Sequence, residues 1–249
     1  MHHYFLDKQT LSSVDTANFL LDLRPEDLRH ARAQRLRPGE HISVVDSNGV
    51  YFELEVIDFN KSGVSVRIAS RISAKPSDFK ITLIQGISKQ DKMATVLRSA
   101  TEICIDRYIP CEFKRSIIRL KDFDKKTRMD RLIEVARSAA MQSGRLSIPE
   151  ITKPISLIDE VANLGEYDKV IVFYEACDLN SFFEDAITST DKNIAIIIGP
   201  EGGFDVSEID TLSTLNNVYI CSLGTSILRT ETAGIVAPAL VANYLRRSS

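Results

Sequence analysis

Three nearly continuous apolar runs mark the second half of the chain, and polar segments with helical spacing separate them. Uninterrupted apolar runs are typical of parallel strands that are buried on both faces. Apolar runs and helical segments already alternate from residue 79 onward. This alternation predicts an α/β domain with a parallel sheet and crossover helices. Pro238 lies inside the last predicted helix, where a proline removes one backbone hydrogen bond and kinks or delays the helix. The pattern therefore does not define the first residue of that helix. The predicted strands are 79–86, 108–113, 169–174, 193–198 and 218–223, and the predicted helices are 89–103, 125–141 and about 230–247.

The first 72 residues show a different pattern, with short alternating segments and close-set turn signals. The predicted strands here are 41–45, 50–57 and 64–68. Asn48-Gly49 between the first two is typical of a β-hairpin turn. Several close-set strands predict a small β-barrel. A polar, proline-containing stretch at 73–77 separates the two patterns, so we expect one domain at 1–72 and a second at 73–249.

Composition is that of an ordinary globular protein, with 44% hydrophobic and 26% charged residues in 249. No apolar run approaches the roughly 20 residues that a membrane helix needs, and the N-terminus lacks the apolar stretch of a signal peptide. The cysteines show no CxxC pair and no histidine at ligand spacing, so we expect reduced thiols, no metal site and a cytoplasmic protein. They are Cys104, Cys111, Cys177 and Cys221.

The net charge of −3 does not indicate a nucleic-acid-binding protein, but its distribution is uneven. Residues 24–41 carry five arginines against three acids, and residues 114–131 carry eight basic residues against three acids. Either cluster alone is typical of a solvated face. Together they favour a phosphate-contacting surface. The arginines of the first cluster are Arg24, Arg29, Arg32, Arg35 and Arg37.

Two motifs near the C-terminus carry the strongest functional signal, namely IIIGPEGGF at 196–204 and LGTSILRTETA at 223–233. Each passes from an apolar run through glycine into a helix start. Two such strand ends form one crevice at the carboxyl edge of a parallel sheet, which is where open α/β sheets bind ligands. Glycine lets a ligand approach the backbone closely. Neither motif has the spacing of a dinucleotide or triphosphate loop, which argues against those ligands.

Several side chains in these motifs are candidates for chemistry. Glu201 suits a general base, a cation partner or a helix N-terminal charge. Arg229 would reach across the crevice to an anion or a carbonyl group. Thr230 is a candidate N-cap and Glu231 suits a first helical turn, and for both a capping role is at least as favoured as chemistry. The segment that begins at Asp205 is a good helix opening.

These motifs resemble those of the ribosomal RNA small subunit methyltransferase E family, within the SPOUT superfamily, and the resemblance covers the whole chain. The chain departs from the family at His3, where an arginine is frequent, at Ala33-Gln34, which replace a more apolar pair, and at Cys104-Ile105-Asp106, where Gly-Val is frequent. The resemblance implies transfer of a methyl group from S-adenosylmethionine to N3 of one uridine in the 16S rRNA of the assembled 30S subunit. Further matching segments are Lys92-Met93, Ala100-Thr101-Glu102, Arg115-Ser116, a block at 131–150 and HARAQRLRPGE at 30–40.

The same resemblance implies a SPOUT-type parallel sheet with a C-terminal deep trefoil knot, a PUA-like β-barrel that binds RNA, and a homodimer. Arg229 would stabilise the developing uracil oxyanion or hold the adjacent phosphate, and Glu201 is the candidate base. The implied cofactor-binding residues are Gly199, Pro200, Glu201, Gly202, Gly203, Leu223, Gly224, Ile227, Leu228 and Arg229. The RNA-binding candidates are Arg24, Arg29, Arg32, Arg35, Arg37, Arg115 and Arg145.

Other functions stay open at this point. A SPOUT methyltransferase with these motifs could act on another RNA nucleotide or on a ribose 2′-hydroxyl. A non-catalytic RNA-binding assembly factor could keep the fold without the reaction. An α/β enzyme could also use a different nucleotide at the same crevice.

Overall fold

The chain folds into two compact units. The computed structural model describes residues 1–14, 17–61, 63–73, 77–123 and 126–248. The first unit comprises Met1–Pro76 with Ala140–Ser147, and the second comprises Ser77–Ala139 with Ile148–Ser249. The stretch 140–147 therefore groups with the first unit, although the sequence pattern assigned it to the second domain. Of the boundary stretch 73–77, residues 74–76 lie outside the described residues, as does Lys125 of the second basic cluster.

The first unit is built on a five-stranded sheet with the order β1-β3-β4-β5-β2. Strands β1 and β3 pair in parallel and the other neighbours are antiparallel. The alternating burial along β4 turns its apolar side chains to one core, as the period of two requires. The elements are β1 (His2–Phe5), β2 (Phe19–Leu21), α1 (Pro25–Ala33), β3 (His41–Val45), β4 (Tyr51–Asn60) and β5 (Gly63–Ile72).

The predicted hairpin is confirmed, because Gly49 has a φ of 76° and its N–H donates to the carbonyl of Asp46 between β3 and β4. Helix α1 was missed by the strand-only expectation for this region. Its signal was present, since Pro25 occupies the first turn together with two acidic residues. Arg35 ends the helix at a φ of 54°, and the Leu36 N–H donates back to Ala31. This is the left-handed cap that usually selects glycine.

The second unit is a parallel sheet with helices, which confirms the α/β prediction. Its main strands have the order β12-β10-β11-β6-β7-β8, and β9 also pairs with β7. The helices and strands are β6 (Lys80–Gly86), α2 (Gln90–Ile103), β7 (Arg107–Glu112), α3 (Leu120–Phe123), α4 (Lys126–Ser143), β8 (Glu150–Ile151), β9 (Ile155–Ser156), α5 (Leu157–Glu160), β10 (Lys169–Phe173), β11 (Asn193–Ile198), α6 (Val206–Ser213), β12 (Val218–Cys221) and α7 (Thr230–Ser248).

The central strands are buried on both faces, as their apolar runs predict. Five of the six residues of β11 are buried, and Ile194 to Ile198 alternate between the two core clusters of the unit. Helix α7 packs against α2 on one face of the sheet. Helix α7 begins at Thr230 and continues through Pro238, which settles the start that the sequence pattern did not define. Helix α4 ends at Ser143, and Gly144 follows at a φ of 67°, as its capping signal predicts.

Candidate cofactor and active site

A cavity of about 380 Å³ lies at the carboxyl ends of β10, β11 and β12. Its walls are formed by the first glycine loop, residues 199–204, and the second glycine loop, residues 222–229. Lys92 of α2, Glu175 after β10 and Ala233 of α7 are among the other lining residues. The crevice predicted from the two motifs is therefore present, and its volume is typical of small-molecule sites.

Glycines in the first loop are required by close contacts. A Cβ on Gly203, whose φ is 68°, would lie 2.5 Å from Oε1 of Glu175. A Cβ on Gly202 would lie 2.7 Å from the carbonyl oxygen of Arg115. Gly86, at the end of β6, would place a Cβ 2.3 Å from the backbone nitrogen of Pro200. At Gly202 and Gly86 the neighbouring atoms are backbone, so a larger residue there would displace the loop. At Gly203 the neighbour is the movable end of the Glu175 side chain, and the positive φ is what favours glycine.

Helix α6 anchors the far end of this loop. Asp205 is its N-cap and forms a capping box with Glu208, as the helix opening predicts. The buried Glu208 also accepts a 2.7 Å hydrogen bond from the Lys114 N–H. Phe204 packs edge-to-face against Phe113 at 5.3 Å between ring centroids. These contacts fix the loop to the segment after β7.

The second glycine loop leads from β12 into α7. Gly224 has a φ of 113°, and no atom lies within 4 Å of where its Cβ would be, so its backbone is open. The Thr230 hydroxyl donates to the Gly199 carbonyl oxygen at 2.6 Å and accepts from Nε2 of Gln85 at 2.8 Å. The prediction of Thr230 as N-cap was wrong, because it is the first helical residue and the Arg229 carbonyl accepts from Ala233 instead. Its hydroxyl joins the two glycine loops to β6.

An ion-pair cluster connects three distant segments beside the cavity. Nζ of Lys92 lies 3.4 Å from Oε1 of Glu201 and 3.2 Å from Oε2 of Glu231, the latter as an ion pair without good hydrogen-bond geometry. Partial burial lowers the pKa of Lys92, but the two carboxylates outweigh it and leave that pKa raised. Desolvation raises the pKa of Glu231, but its own backbone N–H, Lys92 and the charge of Arg229 leave it lowered. Lys92 and Glu231 are therefore both charged at neutral pH.

Arg229 lies at the mouth of the cavity and is exposed. Within the described part of the chain its guanidinium makes no hydrogen bond or ion pair, and its charge acts on Glu231 only at a distance. Ile227 in the same loop is 81% exposed. An exposed arginine next to an exposed apolar side chain suits contact with a planar, anionic partner.

The structure brings together nine of the ten residues that the motifs marked for cofactor binding. Gly202 is the exception, since it faces Arg115 and not the cavity. The two glycine motifs did not indicate Gln85, Lys92 or Glu175, although Lys92-Met93 is one of the segments that resemble the family. A signal was available for Lys92, because β6 ends at the same carboxyl edge and α2 begins directly after it.

The predicted RNA-binding arginines are divided between the units. Arg115 belongs to the second unit and pairs with Asp205 at 3.5 Å, beside the first glycine loop. The others belong to the first unit, where Arg29 is 71% exposed and pairs with Glu26. Their positions are Arg24 before α1, Arg29 and Arg32 within it, Arg35 and Arg37 after it, and Arg145 in the stretch 140–147.

Metal sites and membrane helices are both absent from the described residues. No group of three or more His, Cys, Asp or Glu side chains there is arranged to hold a metal ion. None of the described helices combines the length and apolar character needed to cross a membrane. The four cysteines are free thiols, of which Cys111 and Cys221 are buried.

Comparison with known proteins identifies the family. A family model described as an RNA methyltransferase domain matches residues 75–242, which is more than half of the chain. The ribosomal RNA small subunit methyltransferase E of Rickettsia conorii is 30% identical over 207 residues, covering 83% of this chain and 82% of that protein. The chain belongs to the ribosomal RNA small subunit methyltransferase E family. It is a methyltransferase, and S-adenosylmethionine is the cofactor of this family.

Other members agree over nearly the full length. The Bacillus subtilis enzyme of the same name is 28% identical over 246 residues, covering 95% of this chain and 94% of that protein. A crystal structure of the Neisseria gonorrhoeae member, bound to S-adenosylmethionine, superposes with a TM-score of 0.80 at 27% identity. That match covers 98% of this chain and 97% of the Neisseria chain. The resemblance inferred from the two glycine motifs is thus confirmed.

Proposed function

We propose that this protein transfers a methyl group from S-adenosylmethionine to N3 of one uridine in the 16S rRNA of the assembled 30S ribosomal subunit. The observation that carries the proposal is the cavity between the two glycine loops, in a chain that belongs to this enzyme family. The nucleotide and the assembled subunit come from the family resemblance. The reaction then takes place in the cytoplasm, where small subunits are found.

The cavity fits the cofactor in size and chemistry. Its volume of about 380 Å³ lies in the range of small-molecule pockets. Its wall combines apolar side chains, such as Leu223 and Leu228, with open backbone at Gly224. The carboxylates of Glu175 and Glu201 face the same space, which suits a cofactor that carries positive charge. The backbone of residues 199–203 and 223–228 would hold it.

S-adenosylmethionine supplies a methyl group on a positively charged sulfur. Uracil N3 carries a proton and becomes a good nucleophile only when that proton leaves. Negative charge then spreads to the uracil oxygens, and a preorganised cation lowers the free energy of that state. We assign this role to Arg229, whose guanidinium is exposed at the cavity mouth, or alternatively a contact to the adjacent phosphate.

Glu201 is the candidate base, but its contacts favour a role in holding the loop. Its carboxylate is paired with Lys92 at 3.4 Å. Glu201→Gln separates the two roles. Loss of turnover with unchanged cofactor affinity supports the base, whereas full methylation at neutral pH removes Glu201 from proton transfer.

The arginines around α1 are proposed to contact rRNA phosphates, which positions the substrate without reading its sequence. We extend the proposal to a PUA-like barrel at 1–72 and a methyltransferase domain at 73–249. The five-stranded sheet of the first unit supports this division.

A trefoil knot in the C-terminal segment and a homodimer are also part of the proposal. The tight passage of the first glycine loop over Gly86, together with the packing of α7 on α2, supports a segment threaded across the sheet edge. Sedimentation of the purified protein at several concentrations tests the dimer. A monomer at all concentrations contradicts it.

The decisive experiment is mass mapping of 16S rRNA from a strain that lacks this protein. We expect the loss of one 3-methyluridine, restored when purified protein and S-adenosylmethionine are added to assembled 30S subunits. The Arg229→Ala variant is the matched control and should restore little. Unchanged 16S rRNA, or a lost methyl group on another atom, refutes the assignment. Calorimetry with S-adenosylmethionine, NAD and ATP tests the cofactor separately.

A further inference from the structure

Four charged side chains alternate in sign beside the cavity. Lys92 stands between the carboxylates of Glu201 and Glu231, with its Nζ at 3.4 Å and 3.2 Å from them. Glu231 lies in the first turn of α7, two residues after Arg229. The cluster therefore contains two acidic and two basic side chains, and Lys92 forms ion pairs with both acidic ones.

Arg229 is left without a carboxylate partner by this arrangement. No ion pair or side-chain hydrogen bond of Arg229 occurs among the described residues. Its charge is nevertheless close enough to lower the pKa of Glu231. Glu231 is thus within electrostatic reach of two cations and pairs with Lys92.

We propose that Lys92 is a positioning residue that keeps Arg229 available to the RNA substrate by pairing with Glu201 and Glu231. The inference rests on the proposed role of Arg229 in uracil methylation. Lys92 itself acts through these carboxylates and not on the reacting atoms.

The physical reason is competition for one carboxylate. Without the ammonium of Lys92, Glu231 loses its closest cation. The remaining cation is Arg229, and a guanidinium–carboxylate pair is both strong and directional. Glu231 would then hold the Arg229 side chain against the start of α7. A guanidinium fixed there is withdrawn from a substrate that enters at the cavity mouth.

Lys92→Met is the first test. We expect kcat for rRNA methylation to fall by about 10-fold or more, towards the roughly 100-fold loss that misplacement of a catalytic contact can cause. The dissociation constant for S-adenosylhomocysteine should change much less. Lys92→Arg should restore most of kcat. Lys89→Met is the matched control, because it removes an exposed cation from the start of the same helix, and its kcat should equal that of wild type.

The double variant Lys92→Met/Glu231→Gln decides between positioning and simple support of the fold. Removing the competing carboxylate should recover at least half of the lost activity on a logarithmic scale, which a structural defect would not do. A crystal structure of Lys92→Met should show the Arg229 guanidinium within 4 Å of the Glu231 carboxylate. Lys92→Gln is measured in parallel, so that a folding defect in one variant does not decide the result.

Three outcomes overturn the inference. They are full turnover in Lys92→Met, a double variant no better than the single one, and a Lys92→Met structure in which Arg229 stays unpaired. These outcomes are distinguishable from failure of the proposed function, because in that case the wild-type protein would not methylate 30S subunits at all.

Discussion

The cavity and the arginine segment at residues 24–37 both concentrate charge, but they do so in opposite ways. Beside the cavity, Lys92 lies more than a hundred residues before Glu201 and Glu231 in the sequence, yet its Nζ lies within 3.4 Å of both carboxylates. In the arginine segment the pairing is local. Arg29 contacts Glu26 one helical turn away and stays 71% exposed.

This difference matches the work each region is proposed to do. Transition-state stabilisation requires groups that are already in place before the substrate arrives. Phosphate contacts need positive charge more than fixed geometry, and exposed ion pairs such as Arg29–Glu26 contribute little to stability. A preorganised site is therefore assembled by tertiary contacts, whereas an electrostatic surface needs only exposed arginines.

Removing one arginine from each region should give the largest difference between them. Arg229→Ala should lower kcat by about 100-fold or more, since it removes the cation that is proposed to stabilise the uracil oxyanion. Arg29→Ala should leave kcat within about threefold and change mainly the RNA affinity. Single-turnover methylation of 30S subunits measures both. Equal losses in the two variants would show that the regions do not differ in this way.

The close contact at Gly86 is the next test. Gly86→Ala forces a methyl group against the backbone of Pro200, so we expect about 1–3 kcal/mol of destabilisation and weaker cofactor binding. Gly165→Ala is the control, because no atom lies within 4 Å of its Cβ position. Thermal unfolding and calorimetry with S-adenosylhomocysteine report the two effects. If both variants behave alike, the first glycine loop tolerates displacement.

The salt dependence of RNA binding tests the arginine segment separately from the cavity. Replacing Arg32, Arg35 and Arg37 by alanine should flatten the slope of log binding constant against log salt, by about one for each of these arginines that binds a phosphate. Cofactor affinity should not change, because none of the three lines the cavity. Filter binding of 16S rRNA between low and moderate salt measures the slope. An unchanged slope excludes these arginines from the RNA interface.

Backbone strain at the end of α2 offers a stabilising substitution. Cys104 ends α2 at a φ of 124°, a left-handed conformation that favours glycine. Cys104→Gly should therefore raise stability by about 1 kcal/mol, although it removes the sulfur that accepts a 3.0 Å hydrogen bond from Arg246. Cys104→Ala keeps the strain and should not stabilise. Chemical unfolding measures this, and a gain with alanine would contradict the strain argument.

The smallest effect concerns acid sensitivity inside the first unit. His3 is buried, with its ring nitrogens 2.8 Å from the Ser43 hydroxyl and the Arg145 carbonyl oxygen. Burial lowers the pKa of His3 below 6.5, and the hydrogen bond to Arg145 offsets this only in part. The unfolded chain therefore binds a proton more readily, so stability should fall as pH drops below 6.5.

His3→Gln removes this proton-binding difference. Its free energy of unfolding should therefore depend less on pH between about 7.5 and 5. Urea unfolding across that range provides the comparison. Parallel pH curves for the variant and the wild type would show that the acid sensitivity arises elsewhere.

Much of the second unit was predictable from local pattern. Strand β11 matches its predicted bounds, and the remaining predicted strands of this unit differ by one or two residues at an end. Helix α1 was missed because it has few apolar positions, and its only sequence signals are Pro25 and the acidic residues of its first turn. Thr230 was misassigned because a threonine before a helix usually caps it, while here the hydroxyl is used by Gly199 and Gln85.

Local sequence patterns were enough to indicate the parallel sheet, the two glycine loops and the family, because these depend on residues that are near one another in the chain. The other side chains that line the cavity could be identified only from the folded structure. Lys92 reaches Glu201 and Glu231, and Gly86 lies against Pro200, through contacts across the sheet edge. Such contacts follow from strand order and packing, which a local pattern does not specify.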